Sequence, residues 1–236
     1  MNSNSTSKNF VIESHKNSLN NRKHYKLQNI DIFVKDPLPD HVDINNVLRQ
    51  VELRIPSYYL YNIDAVYVGE FQDLIDRDIN AKFTDGAIYI TNEQDNDEDM
   101  IDDFIHEIAH ATEVSFAEDI YADGLIEEEF LGKRRTLRRL LKYREFPVEK
   151  YDFEEINYTK SFDELLYVYV GYKALTNIVM GLFVSPYAAT SIREYYASGF
   201  EDFYLNNGKL IRKISPALYE KLSDLNNLGE KINEIY

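Results

Sequence analysis

His106-Glu107-Ile108-Ala109-His110 constrains this chain more than any other feature. It is an H-E-x-x-H pentapeptide inside a segment whose apolar residues recur at helical spacing. Residues four apart on a helix share a face, so both imidazoles point one way and can hold one metal ion. The glutamate between them is placed to handle the proton of a metal-activated water. The plain alternative is a helix with two surface histidines, and the flanking residues argue against it. Asp95, Asp97, Glu98, Asp99, Asp102 and Asp103 crowd the start of the segment, where a helix dipole favours negative charge. Asn96 or Asp97 can cap it. Ile101, Ile105, Ile108, Thr112 and Ser115 follow helical spacing, with Phe104 and Ala111 beside them, so one face belongs to a core. His106 and His110 flank that face, in the half-buried position a ligand needs.

The surrounding periodicities predict an α+β fold. Ile30 to Lys35 alternates as a strand does, and Pro37 and Pro39 end it. Ile44, Val47, Leu48 and Val51 give a helix over 42–53. Ile63 to Val68 reads as a second strand, ended by Gly69, and a short helix follows over 71–77. Asp85-Gly86 is a turn signal, and 87–91 reads as a third strand leading into the metal helix, expected over about 97–117. The expectation is a small N-terminal α/β lobe with a mixed sheet, then a mostly helical C-terminal lobe from 118 on. Residues 1–25, rich in Asn, Ser and Lys, read as a flexible tail before one domain over 26–236.

Composition removes several function classes. There are no cysteines among the 236 residues, so disulfides, thiolate nucleophiles and cysteine zinc sites are excluded. Any metal must use histidine and carboxylate. Lys+Arg 26 against Asp+Glu 41 gives a net charge of −15, which disfavours nucleic acid and anionic membrane as partners. The N-terminus lacks the apolar core of a secretory signal, and a cytoplasmic location is expected. Leu165 to Val184 has Lys173 as its only charge and is long enough to span a bilayer. Its tyrosines, Thr176 and Asn177 make it a poor span, and a buried helix is expected.

Lys133, Arg134, Arg135, Arg138, Arg139, Lys142 and Arg144 form a basic run, with Phe130, Leu137 and Leu141 at helical spacing among them. This predicts an amphipathic helix whose charged face pairs with the protein's own surplus acids. A docking patch for an acidic partner and a nucleic-acid site are the weaker readings.

A catalytic zinc usually takes three protein ligands and keeps one position for water. His15, His24 and His41 lie upstream, in the tail or the first lobe. The longer pattern H-E-x-x-H-x-x-G-x-x-H fails, because Glu113 stands at the glycine and Phe116 at the last histidine. A carboxylate is therefore expected, from among Glu113, Glu118, Glu127 to Glu129, Glu164 and Glu194.

The segment from Ile192 to Tyr204 separates these candidates. It contains Glu194-Tyr195-Tyr196-Ala197-Ser198-Gly199-Phe200. This resembles the second motif of the anthrax lethal factor-type peptidases, a group that includes the Pro-Pro endopeptidases. Their pattern is Glu-aromatic-aromatic-Ala-Glu-x-Phe on a helix, and its first Glu is the third zinc ligand. Ser198 stands at the second Glu. Those families also place a tyrosine seven residues before the ligand Glu, which is Tyr187 here. The resemblance covers about a tenth of the chain and requires a helical insertion at about 118–180. It implies a zincin-like fold, His106, His110 and Glu194 as zinc ligands, Glu107 as general base, and Tyr187 as donor to the reacting carbonyl. Glu164 is the alternative ligand. The expected activity is a zinc-dependent endopeptidase acting on peptides or proteins, many or one dedicated partner. Its substrate is expected to add as a strand to 87–91. The rival is a non-catalytic zinc-binding or assembly protein, of a viral particle for instance, built on a protease fold.

Overall fold

The alternating segments of the N-terminal half assemble into one five-stranded mixed sheet. In a computed structural model, which describes residues 23–233, the strands are β1 (Lys23–Leu27), β2 (Ile30–Val34), β3 (Ala65–Val68), β4 (Ala81–Thr84) and β5 (Ala87–Ile90). Their spatial order is β1-β2-β3-β5-β4. β2, β3 and β5 run parallel, and each edge strand is antiparallel to its neighbour. Parallel neighbours require crossover connections. Here these carry α1 (Ile44–Arg54) and α2 (Gln72–Arg77).

Strand alternation sets the two faces. Ile30, Ile32, Val34, Val66, Val68, Ile88 and Ile90 are buried, as are Ile44, Val47, Leu48 and Val51 of α1. Each such side chain contributes about 1.5–3 kcal/mol when fully buried. The opposite face carries a row of stacked rings, His24, Phe33, Tyr67 and Tyr89, with successive centroids 5.1, 5.5 and 5.3 Å apart. The β4–β5 hairpin turns on Asp85 and Gly86, with φ of 50° and 78°. A two-residue hairpin of this twist needs positive φ at both positions.

The described residues divide into two compact units between Ile108 and Ala109, inside one continuous helix, α3 (Asp97–Tyr121). The second unit continues with α4 (Leu125–Tyr143), α5 (Lys160–Glu164), a π-helical stretch (Leu165–Gly171), α6 (Tyr172–Val179), α7 (Ile192–Leu205), α8 (Ile211–Ile214) and α9 (Pro216–Asn233). α7 packs against α4 and α9. A Cβ built on Gly199 of α7 would run into the Leu218 side chain of α9, so any larger residue there requires Leu218 to shift.

Several expectations need correction. β1 begins at Lys23, so 23–25 belong to a strand and not to a tail; the rest of the expected tail, 1–22, lies outside the described residues. β4 was not anticipated. Leu165 to Val184 is not one buried helix. Gly171, at φ 82°, and Met180 interrupt it, and Tyr167, Val168, Tyr169 and Tyr172 are exposed. Among the described residues, no helix is long and apolar enough to cross a membrane.

The basic helix α4 follows its expected pattern only in part. Phe130, Leu137 and Leu141 are buried. Arg135 pairs with Glu154, and Arg138 and Lys142 pair with Glu149, at 2.6–2.7 Å. Lys133 and Arg134 instead point inward. Arg134 is fully buried. It donates to the carbonyls of Ala189 (2.6 Å), Thr190 (3.2 Å) and Glu155 (3.0 Å), and its guanidinium lies 3.5 Å from the Phe162 ring centroid. Lys133 donates to the carbonyls of Leu182 and Ile214. Carbonyls in loops and at helix ends need donors when water is kept from them, and these two cations supply them.

Candidate metal centre

Helix α3 starts where its cap predicts. The Asn96 side chain accepts from the Asp99 N–H at 2.9 Å, and Asp97, Glu98 and Asp99 fill the first turn. Asp97 also accepts from the Asp43 N–H and the Asn46 amide, both at 2.7 Å, which ties the helix start to the start of α1. Ile101, Ile105, Ile108 and Thr112 are buried as expected, whereas Ser115 is exposed. One turn of this helix separates His106 from His110.

Glu194 comes from the first turn of α7. Ser191 caps that helix and accepts from the Glu194 N–H at 3.2 Å, which fixes the turn carrying the carboxylate. One ligand atom from each of His106, His110 and Glu194 lies within 4.8 Å of the others. The Glu194 carboxylate stands 3.5 Å from His110 Nε2. That 3.5 Å separation suits two ligands of one ion at zinc bonds of about 2.0–2.2 Å, and a pair as far apart as 4.8 Å would close slightly on binding. Two imidazoles and a carboxylate are also the donor set that a cysteine-free chain must use. The group can hold a metal ion.

The other acids do other things. Glu164 is exposed on α5 and stands 3.9 Å from Lys160. Glu118, Glu127 and Glu128 are exposed. Glu129 accepts from the Tyr195 hydroxyl at 2.7 Å and from the first N–H groups of α9. Glu113 is buried beside the histidine. Its carboxylate meets His110 Nδ1 at 3.1 Å, the Tyr121 hydroxyl at 2.7 Å and Arg193 Nε at 2.9 Å. Burial alone would raise the Glu113 carboxyl. The hydrogen bonds from His110, Arg193 and Tyr121 outweigh it and hold the group below the usual carboxylate range. Burial, then the Glu113 charge, keeps the Tyr121 phenol protonated, hence a donor.

Glu107 is 6 % exposed, and its Oε2 accepts the backbone N–H of Phe83 at 2.5 Å. Phe83 lies on β4, the edge of the sheet. Its N–H therefore points away from β5 and toward Glu107. This overturns the expected docking strand: β5 has β3 on one side and β4 on the other, so 87–91 offers no free edge. Asp103, one turn before Glu107, is pushed up from the ordinary 3.8 to about 7 by burial, against the hydrogen bond from Gln94 at 2.9 Å.

Tyr187 opens a short 3₁₀ turn, Tyr187–Ala189, on the segment leading into α7, and is 41 % exposed. Its carbonyl accepts from the Thr190 N–H and hydroxyl at 2.9 and 2.7 Å. Arg134 holds the next carbonyls, so the backbone around Tyr187 is fixed. Ser198 is buried, with its hydroxyl 3.2 Å from that of Ser185.

Glu113's bond to His110, Arg193, Tyr121 and the Phe83 N–H were not foreseen as parts of the site. Glu113 and Arg193 carried a signal: one lies three residues after His110, the other directly before Glu194. No protein family, curated protein or solved structure matches the chain.

Proposed function

We propose that the chain is a zinc-dependent endopeptidase with a zincin-like catalytic domain. One observation carries the reading. Three ligand groups, His106, His110 and Glu194, converge, and Glu107 between the histidines turns its carboxylate to an edge strand. Structural zinc sites are closed by four ligands, whereas catalytic sites use three. A site that only holds a metal has no use for an acid at position 107.

Bound zinc supplies Lewis acidity and brings water to a pKa of about 7. Glu107 takes the proton of the attacking water and delivers it to the leaving amine. The substrate lies extended and adds to the open edge of β4, where the Phe83 N–H is directed outward. On substrate binding the Glu107 carboxylate turns from that N–H to the water. The Tyr187 hydroxyl donates to the developing oxyanion.

The test is Glu107→Gln, assayed on a peptide library read by mass spectrometry. The variant is expected to keep metal and fold and to lose about 10²–10⁴ in turnover. Wild type that binds zinc yet cleaves nothing across a broad library would replace this reading with a non-catalytic zinc protein.

A further inference from the structure

We infer that Glu113 is a positioning residue that sets the tautomer and orientation of His110. The part concerning the ion rests on the zinc-site reading; the part concerning the ring does not.

A neutral imidazole has one N–H and one lone pair, and the partner of one nitrogen decides the state of the other. His110 Nδ1 lies 3.1 Å from Glu113 Oε2, while its Nε2 faces the Glu194 carboxylate at 3.5 Å. A carboxylate only accepts. Glu113 is the nearer of the two carboxylates, so the Nδ1–H is directed at it; with an ion bound the Nε2 lone pair meets that ion and Glu194 is its co-ligand, whereas without one both ring nitrogens face carboxylates. The i, i+3 spacing on α3 puts both side chains on one side of the helix.

Glu113 is itself pinned. Tyr121 donates to Oε1 at 2.7 Å, and Arg193 Nε and a terminal Arg193 nitrogen approach Oε2 at 2.9 and 2.8 Å. Only 9 % of its surface is exposed, so its bonds to His110 and Tyr121 form in a region of low dielectric, where they are strong, while the Arg193 side chain, 56 % exposed, is partly screened by solvent. Arg193 directly precedes Glu194 on α7. One carboxylate thus fixes the ring of the second histidine and the helical turn that bears the acid. Partners of this kind, one layer out from a metal, raise the basicity of a ligand histidine and lock its rotation.

Two measurements on the full chain test this: zinc affinity by chelator competition, and the ¹⁵N spectrum of His110 in metal-free Glu194→Ala protein, where the competing carboxylate at Nε2 is gone. Glu113→Ala should weaken zinc binding about 10–100-fold, the usual effect of losing such a partner, and, added to Glu194→Ala, should shift the ring toward the Nε2–H form. Glu113→Gln keeps the volume and one acceptor oxygen; it should fold and lose about tenfold. It carries the test if the alanine variant does not fold. A merely structural role would lower the thermal midpoint of both variants and leave zinc affinity per folded molecule unchanged, and that result overturns the inference. If wild type binds no zinc, the zinc reading fails and the spectrum alone decides. In the Glu194→Ala background, an Nδ1–H ring that is lost on adding Glu113→Ala, or weakened on adding Glu113→Gln, supports the positioning role, and an Nε2–H ring with Glu113 intact removes it.

Discussion

The carboxylate of Glu194 stands 3.5 Å from Nε2 of His110, although they come from different helices with most of the second unit's sequence between them. Glu164 is exposed and faces Lys160. The two acids weighed as third ligand therefore behave differently. Glu194→Ala should lose zinc during gel filtration, while wild type and Glu164→Ala should each retain about one ion per chain, given one three-ligand site. Metal analysis of the eluted protein checks this. Equal retention in both variants would remove Glu194 from the ligand set.

Asp103 gives a pH dependence with a definite sign. Burial, the largest cause, raises its carboxyl from 3.8 to about 7 in the fold. Between those values the folded state binds a proton that the unfolded chain has lost. Its contribution to stability is thus fully present below pH 3.8 and is lost as pH rises through about 7. Asp103→Asn keeps an acceptor for Gln94 and removes this loss. In chelator-treated protein the variant should melt roughly 5 °C above wild type at pH 8 and close to it near pH 4. Thermal scans across that range check the sign. A difference independent of pH would show that Asp103 ionises in its ordinary range.

Gly199 tests the packing behind the Glu194 helix. A methyl group there would collide with the end of the Leu218 side chain, and Leu218 is fully buried. Alanine gains about 1 kcal/mol of helix propensity over glycine, but forcing Leu218 to a new position costs about 1–3 kcal/mol. Gly199→Ala should be neutral to destabilising by about 2 kcal/mol. Gly199→Ala with Leu218→Ala should be less destabilised than the sum of the two single changes, because the new methyl fills part of the space Leu218 leaves. Denaturant titration of the three variants measures that coupling.

Helix α3 was legible because several local signals agree on it. Asn96 caps it, acids fill its first turn, and Ile101, Ile105 and Ile108 keep period. The two histidines followed, since their relation is set by helical geometry alone. β4 was missed because Ala81–Thr84 is four residues long and has no strong pattern of its own; its partner β5 and the Asp85-Gly86 turn hold it in place. That omission assigned the free edge to the wrong strand. Glu194 needed the resemblance, because which acid reaches the histidines depends on tertiary packing. Arg134 looked like any member of a basic run. What buries it is a set of carbonyls far along the chain, at Ala189, Thr190 and Glu155.

Tyr187 is expected to act on the transition state and not on the metal. It lies on the turn that leads into α7, on backbone held by Thr190 and by Arg134 through the next carbonyls. Tyr187→Phe removes one hydroxyl and keeps the ring. If the hydroxyl donates to the developing oxyanion, its loss should lower turnover by about 10²–10³ with little change in KM. Zinc content should stay at the wild-type level, because the group able to hold an ion is His106, His110 and Glu194 and does not include Tyr187. If the phenol only packs or bonds to a neighbour, the change should cost about 1 kcal/mol of stability and leave turnover per folded molecule intact. Turnover and thermal midpoint measured on the same preparation separate the two. Undiminished turnover in metal-replete Tyr187→Phe would take Tyr187 out of the catalytic set and leave oxyanion stabilisation to the metal and to groups not yet identified.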